Sequence, residues 1–243
     1  MSCVLIIGAK SDIAKEVARE YAKNGYDLYL AGRNIDEMKD FENDIKIRSK
    51  ADVKLKEFDI TDFESHEQFY NSLEPKPLGV IVVAGYMAEQ KTCENDWSKT
   101  LNTINVNFTG AVSILNIISN DMEQNKNGFI VGVSSVAGDR GRKANYIYGS
   151  AKAGFSAYLS GLRNRLYESG VKVLTVKPGF VNTKMTEHLD LSAKLTAESE
   201  DVASDIYNAQ QKGKDILYTK SIWRFVMLVI KHIPEMIFKR LSI

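Results

Sequence analysis

The chain has 243 residues, of which 44% are hydrophobic and 26% charged, with 32 Lys and Arg against 31 Asp and Glu. That is the composition of an ordinary globular protein with a sizeable core. A net charge of +1 excludes a general nucleic-acid binder, which needs surplus cations to displace counterions.

Strands are predicted at 3–7, 27–31, 53–58, 78–83, 128–134, 171–176 and 215–218, as short runs rich in Val, Ile and Leu. Helical periodicity occupies 12–24, 35–48, 62–73, 96–121, 146–168 and 199–211. Strands alternating with such segments imply β-α-β units and a parallel sheet. The continuous apolar run 79–83 suits a sheet covered on both faces. The fold class is therefore α/β: a single-domain, Rossmann-type doubly wound parallel sheet of about seven strands flanked by helices. Residues 1–219 form the main domain in this reading, and 220–243 a helical C-terminal extension. No basic segment precedes Val4, so no secretory leader is read and the cytoplasm is the expected compartment. No run reaches the ~18 uncharged apolar residues of a spanning helix. Cys3 and Cys93 form neither a disulfide framework nor a zinc pattern and read as inert buried thiols. His66, His188 and His232 are too scattered for a metal site, and none is expected.

The first strand enters its helix through Gly8-Ala-Lys10-Ser11-Asp12-Ile13-Ala14. A glycine turn there presents free backbone N–H groups and the positive end of a helix dipole to a phosphate, the dinucleotide position of a doubly wound sheet. A plain Ser11 N-cap explains the same residues equally well. The second strand ends Ala31-Gly32-Arg33-Asn34, without the acid that would accept the ribose 2′-OH of NAD. Arg33 offers instead a fork for a 2′-phosphate. The expected cofactor is NADP(H) rather than NAD(H). Asp59, after the third strand, bonds the adenine amino group or caps the following helix.

The fifth strand leads into Ser135, and the next helix carries Tyr148-Gly-Ser-Ala-Lys152. Tyr148 and Lys152 stand at i and i+4 and share a helix face. An ammonium one turn away favours tyrosinate, so it lowers a pKa otherwise too high for acid–base work near neutrality. The Ser135 hydroxyl is placed to polarise a carbonyl. Tyr146 lacks the partner lysine. With this spacing in this strand order, the chain resembles the short-chain dehydrogenase/reductase family over about residues 3–219. The resemblance implies hydride transfer between a nicotinamide and a carbonyl carbon, with Ser135, Tyr148, Lys152 and Asn107 as the catalytic set. The implied cofactor residues are Gly8, Lys10, Ser11, Asp12, Ile13, Arg33, Asp59, Ile60, Ala84, Gly85, Tyr148, Lys152, Pro178, Gly179, Val181 and Thr183. Asn107 aligns with an asparagine that supports a helix kink and a water relay to the lysine. The loop 178–183 aligns with the segment that contacts the nicotinamide carboxamide. Two departures stand out. Asp12 and Ala14 replace glycines of the phosphate turn, and Val82-Val83-Ala84-Gly85 replaces Asn-Asn-Ala-Gly. The Ser-Asp-Ile-Ala form itself resembles a bacterial subgroup with members in envelope glycan and lipid-linked sugar metabolism.

The substrate loops are expected at 86–95, 138–145 and 184–199, where Asp139, Arg140, Arg142 and Lys143 mix with Met87, Met185 and Leu189. His188 falls in the last of these. Residues 220–243 carry five Lys and Arg against Glu235, a net of +4 that leaves the rest at −3. Pro234 divides the segment into two helices. Its apolar faces with basic flanks suit either peripheral contact with the inner membrane face through 221–243, or packing on the domain or a second copy. The expected partners are a small-molecule or lipid-linked carbonyl or alcohol substrate, with homodimer or homotetramer assembly and no nucleic acid. The function read here is a secondary alcohol/ketone oxidoreductase, with an envelope or lipid-linked sugar as substrate. The alternatives are a non-catalytic NADP(H)-binding redox scaffold and a ketoreductase of soluble small or fatty-acyl ketones.

Overall fold

The computed structural model describes residues 2–187 and 192–241. His188 and Leu189, and the outermost residues of the two proposed regions, lie outside them. Seven parallel strands form one sheet in the order β3-β2-β1-β4-β5-β6-β9. They are β1 (Cys3–Ile7), β2 (Asp27–Gly32), β3 (Val53–Glu57), β4 (Gly79–Val82), β5 (Phe129–Val133), β6 (Lys172–Pro178) and β9 (Ile216–Thr219). A separate two-stranded ribbon pairs β7 (Phe180–Val181) with β8 (Thr196–Ala197).

Period-2 alternation divides the core between the two faces. Val4 and Ile6 of β1 face one layer, and Cys3, Leu5 and Ile7 the other. The first layer is closed by α1 (Asp12–Lys23), α2 (Lys39–Ser49) and α8 (Ser199–Gln211), through Val17, Ile45 and Ile206. The second is closed by α3 (His66–Asn71), α6 (Gly110–Asn125) and α7 (Tyr146–Leu166), through Tyr70, Ile118 and Leu159. Both cysteines are free and buried. The strand order reverses between β1 and β4, and in open α/β sheets the crevice at that switch point takes the ligand.

The predicted helix at 96–121 is three pieces. α5 (Trp97–Ile104) is capped by Asp96, whose carboxylate accepts from Ser98 N at 2.9 Å. A π turn over Asn105–Thr109 then leads into α6. Together, Trp97–Asn125 is 29 residues long and apolar enough to pass for a spanning segment by length and composition. Its α6 part instead buries Ile114, Leu115 and Ile118 against the sheet, as a core helix does. A short helix unanticipated from sequence, α4 (Gln90–Asn95), precedes it.

Pro234 separates α9 (Ile222–His232) from α10 (Glu235–Phe238), a single turn shorter than the sequence suggests. Trp223 and Met227 of α9 are buried with Val136 against Phe180, Leu195 and Tyr218. Phe225, Leu228, Val229 and Met236 are exposed, Phe225 by 68%. So one side of the tail packs on the domain while the other side stays bare.

Candidate active site

At the β1–α1 turn Gly8 has φ +85°, and a Cβ there would come within 2.5 Å of the Ala84 backbone nitrogen. Only glycine combines that conformation with so close an approach. Ser11 caps α1, its hydroxyl accepting from Ala14 N at 3.2 Å. The N–H groups of Asp12 and Ile13, in the first turn, have no intrahelical acceptor and remain for a ligand. The Asp12 carboxylate does not need to face that ligand. It accepts Lys184 N–H at 2.8 Å and so ties the loop after β7 to the start of α1. Lys10 pairs with Glu37 at 2.5 Å. Arg33, 68% exposed, meets Asp59 at 3.7 Å, a weak pair that a stronger anion displaces. Asp59 does not cap the following helix: its carboxylate accepts the N–H and hydroxyl of Thr61 at 2.9 and 2.7 Å in a local turn, and the cap position before the next helical turn is Asp62.

These residues line a cavity of about 240 Å³ that also touches Gly8, Ile60, Ala84 and Gly85. A second cavity, of about 360 Å³, is lined by Ser135, Tyr148 and Lys152 together with Pro178, Gly179, Val181 and Thr183. The two share Lys10, Ser11, Val83 and Gly85, so they form one cleft along the carboxyl ends of the strands. Every site residue expected from sequence lines this cleft except Asn107, which is buried behind it.

The end of β5 is pinned to α7 by Ser134, whose hydroxyl donates to Lys152 O at 2.9 Å and bonds Ser156 Oγ at 2.7 Å. That contact fixes Ser135 next to the face carrying Tyr148 and Lys152. Lys152 is 3% exposed and donates from Nζ to Val133 O at 3.0 Å. Nζ lies 5.8 Å from the Tyr148 ring centre. Burial pushes the Lys152 amine down to about 7. It likewise pushes the Tyr148 phenol up to about 12, with the Ser135 hydroxyl opposing. Here the structure departs from the expected lysine effect. A buried lysine that is only about half charged near pH 7 exerts a weakened pull on the phenol, and desolvation wins.

Asn107 occupies the π turn. Its amide donates to Thr103 O at 2.8 Å and Tyr86 O at 2.6 Å, and its Oδ1 accepts Tyr86 N–H at 3.4 Å. A Cβ on Gly85 would lie 3.4 Å from Asn107 Oδ1 and 3.9 Å from Lys152 Nζ. Both groups thus converge on the Gly85 backbone. Thr186, unmarked in the sequence reading, closes the loop after β7, its hydroxyl donating to Val181 O at 2.5 Å. Trp223 is a second unmarked contributor. Its indole donates to Leu195 O at 3.0 Å, stands edge-on to Phe180 and fills the space a Gly179 side chain would need. Among the described residues no group of three or more His, Cys, Asp or Glu converges as metal ligands do.

The sequence matches the short chain dehydrogenase family over residues 2–194. An uncharacterized oxidoreductase of Mycobacterium tuberculosis is 34% identical over 241 residues, covering 98% of this chain and 96% of that protein. One from Streptomyces coelicolor is 30% identical over 246 residues, covering 99% and 96%. Among solved structures, a short-chain dehydrogenase of Sphingobium yanoikuyae in complex with NADPH superposes with a TM-score of 0.83 at 20% identity, covering 97% of each chain. One from Burkholderia cenocepacia in complex with NADP gives 0.84 at 19% identity, covering 100% of this chain and 98% of that one.

Proposed function

Because the chain belongs to the short-chain dehydrogenase family of oxidoreductases, we propose that it interconverts a secondary alcohol and a ketone with NADP(H). The observation that carries this reading is the single cleft, in which Ser135, Tyr148 and Lys152 meet a glycine turn and Arg33. The positive-φ Gly8 turn and the unpartnered first-turn N–H groups fit a pyrophosphate, and Arg33 fits a 2′-phosphate. The NADP and NADPH complexes of the Burkholderia and Sphingobium proteins support that choice.

The bound nicotinamide supplies the hydride in reduction and accepts it in oxidation. The chain does the rest. Gly8, Lys10, Ser11, Asp12 and Ile13 hold the phosphates. Asp59, Ile60, Ala84 and Gly85 flank the adenosine end, and Pro178, Gly179, Val181 and Thr183 the nicotinamide end. Ser135 Oγ holds the substrate oxygen. Tyr148 Oη gives that oxygen a proton in reduction and takes it back in oxidation. A phenol kept protonated by burial is poised as the acid. Lys152 grips the ribose hydroxyls and, once charged, stabilises the tyrosinate left behind. Asn107 touches no reacting atom in this scheme. It is a positioning residue that braces the Tyr86 backbone and the π turn beside Lys152.

An envelope or lipid-linked sugar is the finer substrate proposal, with peripheral placement on the inner membrane face and homodimer or homotetramer assembly. The exposed apolar side of α9 and α10, flanked by Arg224, Lys231, Lys239 and Arg240, supports the membrane contact. Sedimentation with anionic vesicles tests it. The full chain is expected to partition, and one ended at Thr219 is not; equal partitioning would remove the proposal. Asp12 and Ala14 in place of glycines favour a second reading, an NADP(H)-binding scaffold without turnover. A cofactor-oxidation screen over keto-sugars, lipid-linked keto-sugars and simple ketones decides. Turnover with NADPH preferred over NADH supports the enzyme. Tight NADPH binding with no turnover anywhere supports the scaffold.

A further inference from the structure

Arg142 and Asn145 lie between Ser135 and Tyr148, and both line the larger cavity. Arg142 Nε and Asn145 Oδ1 are buried and have no hydrogen-bond partner. Asn145 N–H donates to Arg142 O at 3.1 Å, so the two side chains issue from one turn at the start of α7. The neighbouring acid is Asp139, but both its oxygens are in use. Lys177 Nζ holds one at 2.5 Å, and Tyr218 donates to the other at 2.7 Å. Among the described residues Arg142 forms no ion pair. Arg140, two residues earlier, shows the contrast. It donates to Ile230 O and Ile233 O at 2.6 Å each and pairs with Glu235 at 2.8 Å.

A half-buried guanidinium whose Nε is buried without an acceptor is costly unless a ligand brings one to it. Burial already lowers the Arg142 pKa from its ordinary value, with Asp139 opposing. Arginine nonetheless stays cationic in a protein. The cofactor's 2′-phosphate does not answer this need, because its place is Arg33 and Arg142 does not line the cavity that holds Arg33. The pyrophosphate's place is the α1 turn, which shares the larger cavity with Arg142 but brings its own first-turn N–H groups.

We propose that Arg142 is a specificity-determining residue that selects a ketone or alcohol substrate bearing an oxyanion, either carboxylate or phosphate, with Asn145 hydrogen-bonding a polar group beside it. This rests on the redox reading above and deepens it. A planar guanidinium fork suits either oxyanion bidentately.

The test uses the full chain saturated with NADP⁺ and measures probe binding by calorimetry. The carboxylate probes are oxo acids from 4-oxopentanoate to 9-oxodecanoate against their methyl esters. The phosphate probe is glycerone phosphate against glycerone. At least one anion is expected to bind roughly tenfold or more tighter than its neutral partner. Arg142→Met should abolish that preference and leave neutral binding within about twofold, whereas Arg142→Lys should retain part of it. The arm that shows the preference identifies the oxyanion. Equal binding of every pair, no binding of any probe, or a preference that survives Arg142→Met overturns the proposal. NADPH oxidation with the same probes reads the redox function separately. Turnover of neutral ketones without anion preference would overturn the Arg142 assignment alone. Anion preference without any turnover would overturn the redox reading alone.

Discussion

Trp223→Ala tests whether the tail is part of the folded unit that shapes the cofactor loop. Trp223 is 3% exposed, donates to Leu195 O and packs edge-on against Phe180 at 5.2 Å between ring centres. Removing a buried tryptophan costs about 3–5 kcal/mol in transfer and cavity terms. In a chain of this size each kcal/mol lowers Tm by about 2–4 °C, so the expected fall is roughly 6–20 °C. The loss cannot exceed what the docked tail contributes, because a tail that costs more than that simply detaches. A chain ended at Thr219 therefore sets the ceiling. Trp223→Phe keeps the ring contact and loses one hydrogen bond, about 0.5–1.5 kcal/mol. Differential scanning fluorimetry ranks the three, and NADPH titration by fluorescence reads the loop. The expected order of damage is truncation, then Trp223→Ala, then Trp223→Phe, with weaker NADPH binding in the first two. If the truncated chain keeps the full-length Tm and NADPH affinity, the reasoning is refuted.

Gly8→Ala should weaken NADPH binding by roughly tenfold or more, since a left-handed alanine costs about 1–2 kcal/mol and its Cβ meets the Ala84 backbone; titration against NADPH checks it. Arg33→Ser should cut the NADPH-over-NADH preference in kcat/KM by roughly tenfold or more, the worth of a charge-assisted contact. An unchanged ratio would remove Arg33 from the cofactor site. Lys152→Met should stabilise the cofactor-free protein. The folded-state pKa of Lys152, about 7, lies below its unfolded value. The unfolded chain therefore binds more protons, and the wild type gains stability as pH rises from about 7 to about 10. The advantage of Lys152→Met over wild type should be largest below pH 7 and shrink toward pH 10, read as Tm across that range. An advantage that grows with pH would contradict the depressed amine.

The sheet was legible because its central strands, β1 and β4 above all, are continuous apolar runs with a helix behind each, as in a parallel sheet covered on both faces, while the outer β3 alternates Val and Leu with Lys. Ser135, Tyr148 and Lys152 were legible because i and i+4 spacing fixes a shared face whatever the surroundings. What stayed hidden depends on tertiary contacts. α4 is too short and too polar to show a period. The π turn at Asn107 follows from its bonds to Thr103 and Tyr86, the latter far away in sequence. The state of Lys152 was misjudged because local spacing counts the charge but not the burial that weakens it. Arg142 reads in sequence as one more loop cation. Its significance appears only when Asp139 is seen to be spent on Lys177 and Tyr218. Likewise, the tail's composition showed an apolar segment but not that Trp223 would dock beneath Gly179.

The central claim is that Tyr148 carries the proton in a reaction on a carbonyl in this cleft. The direct measurement is the single-turnover rate of NADPH oxidation by Tyr148→Phe, on the ketone the wild type reduces fastest. Removing a general acid should slow the step by about 10²–10⁴-fold in a protein that still binds NADPH. Wild-type turnover in Tyr148→Phe would contradict the account.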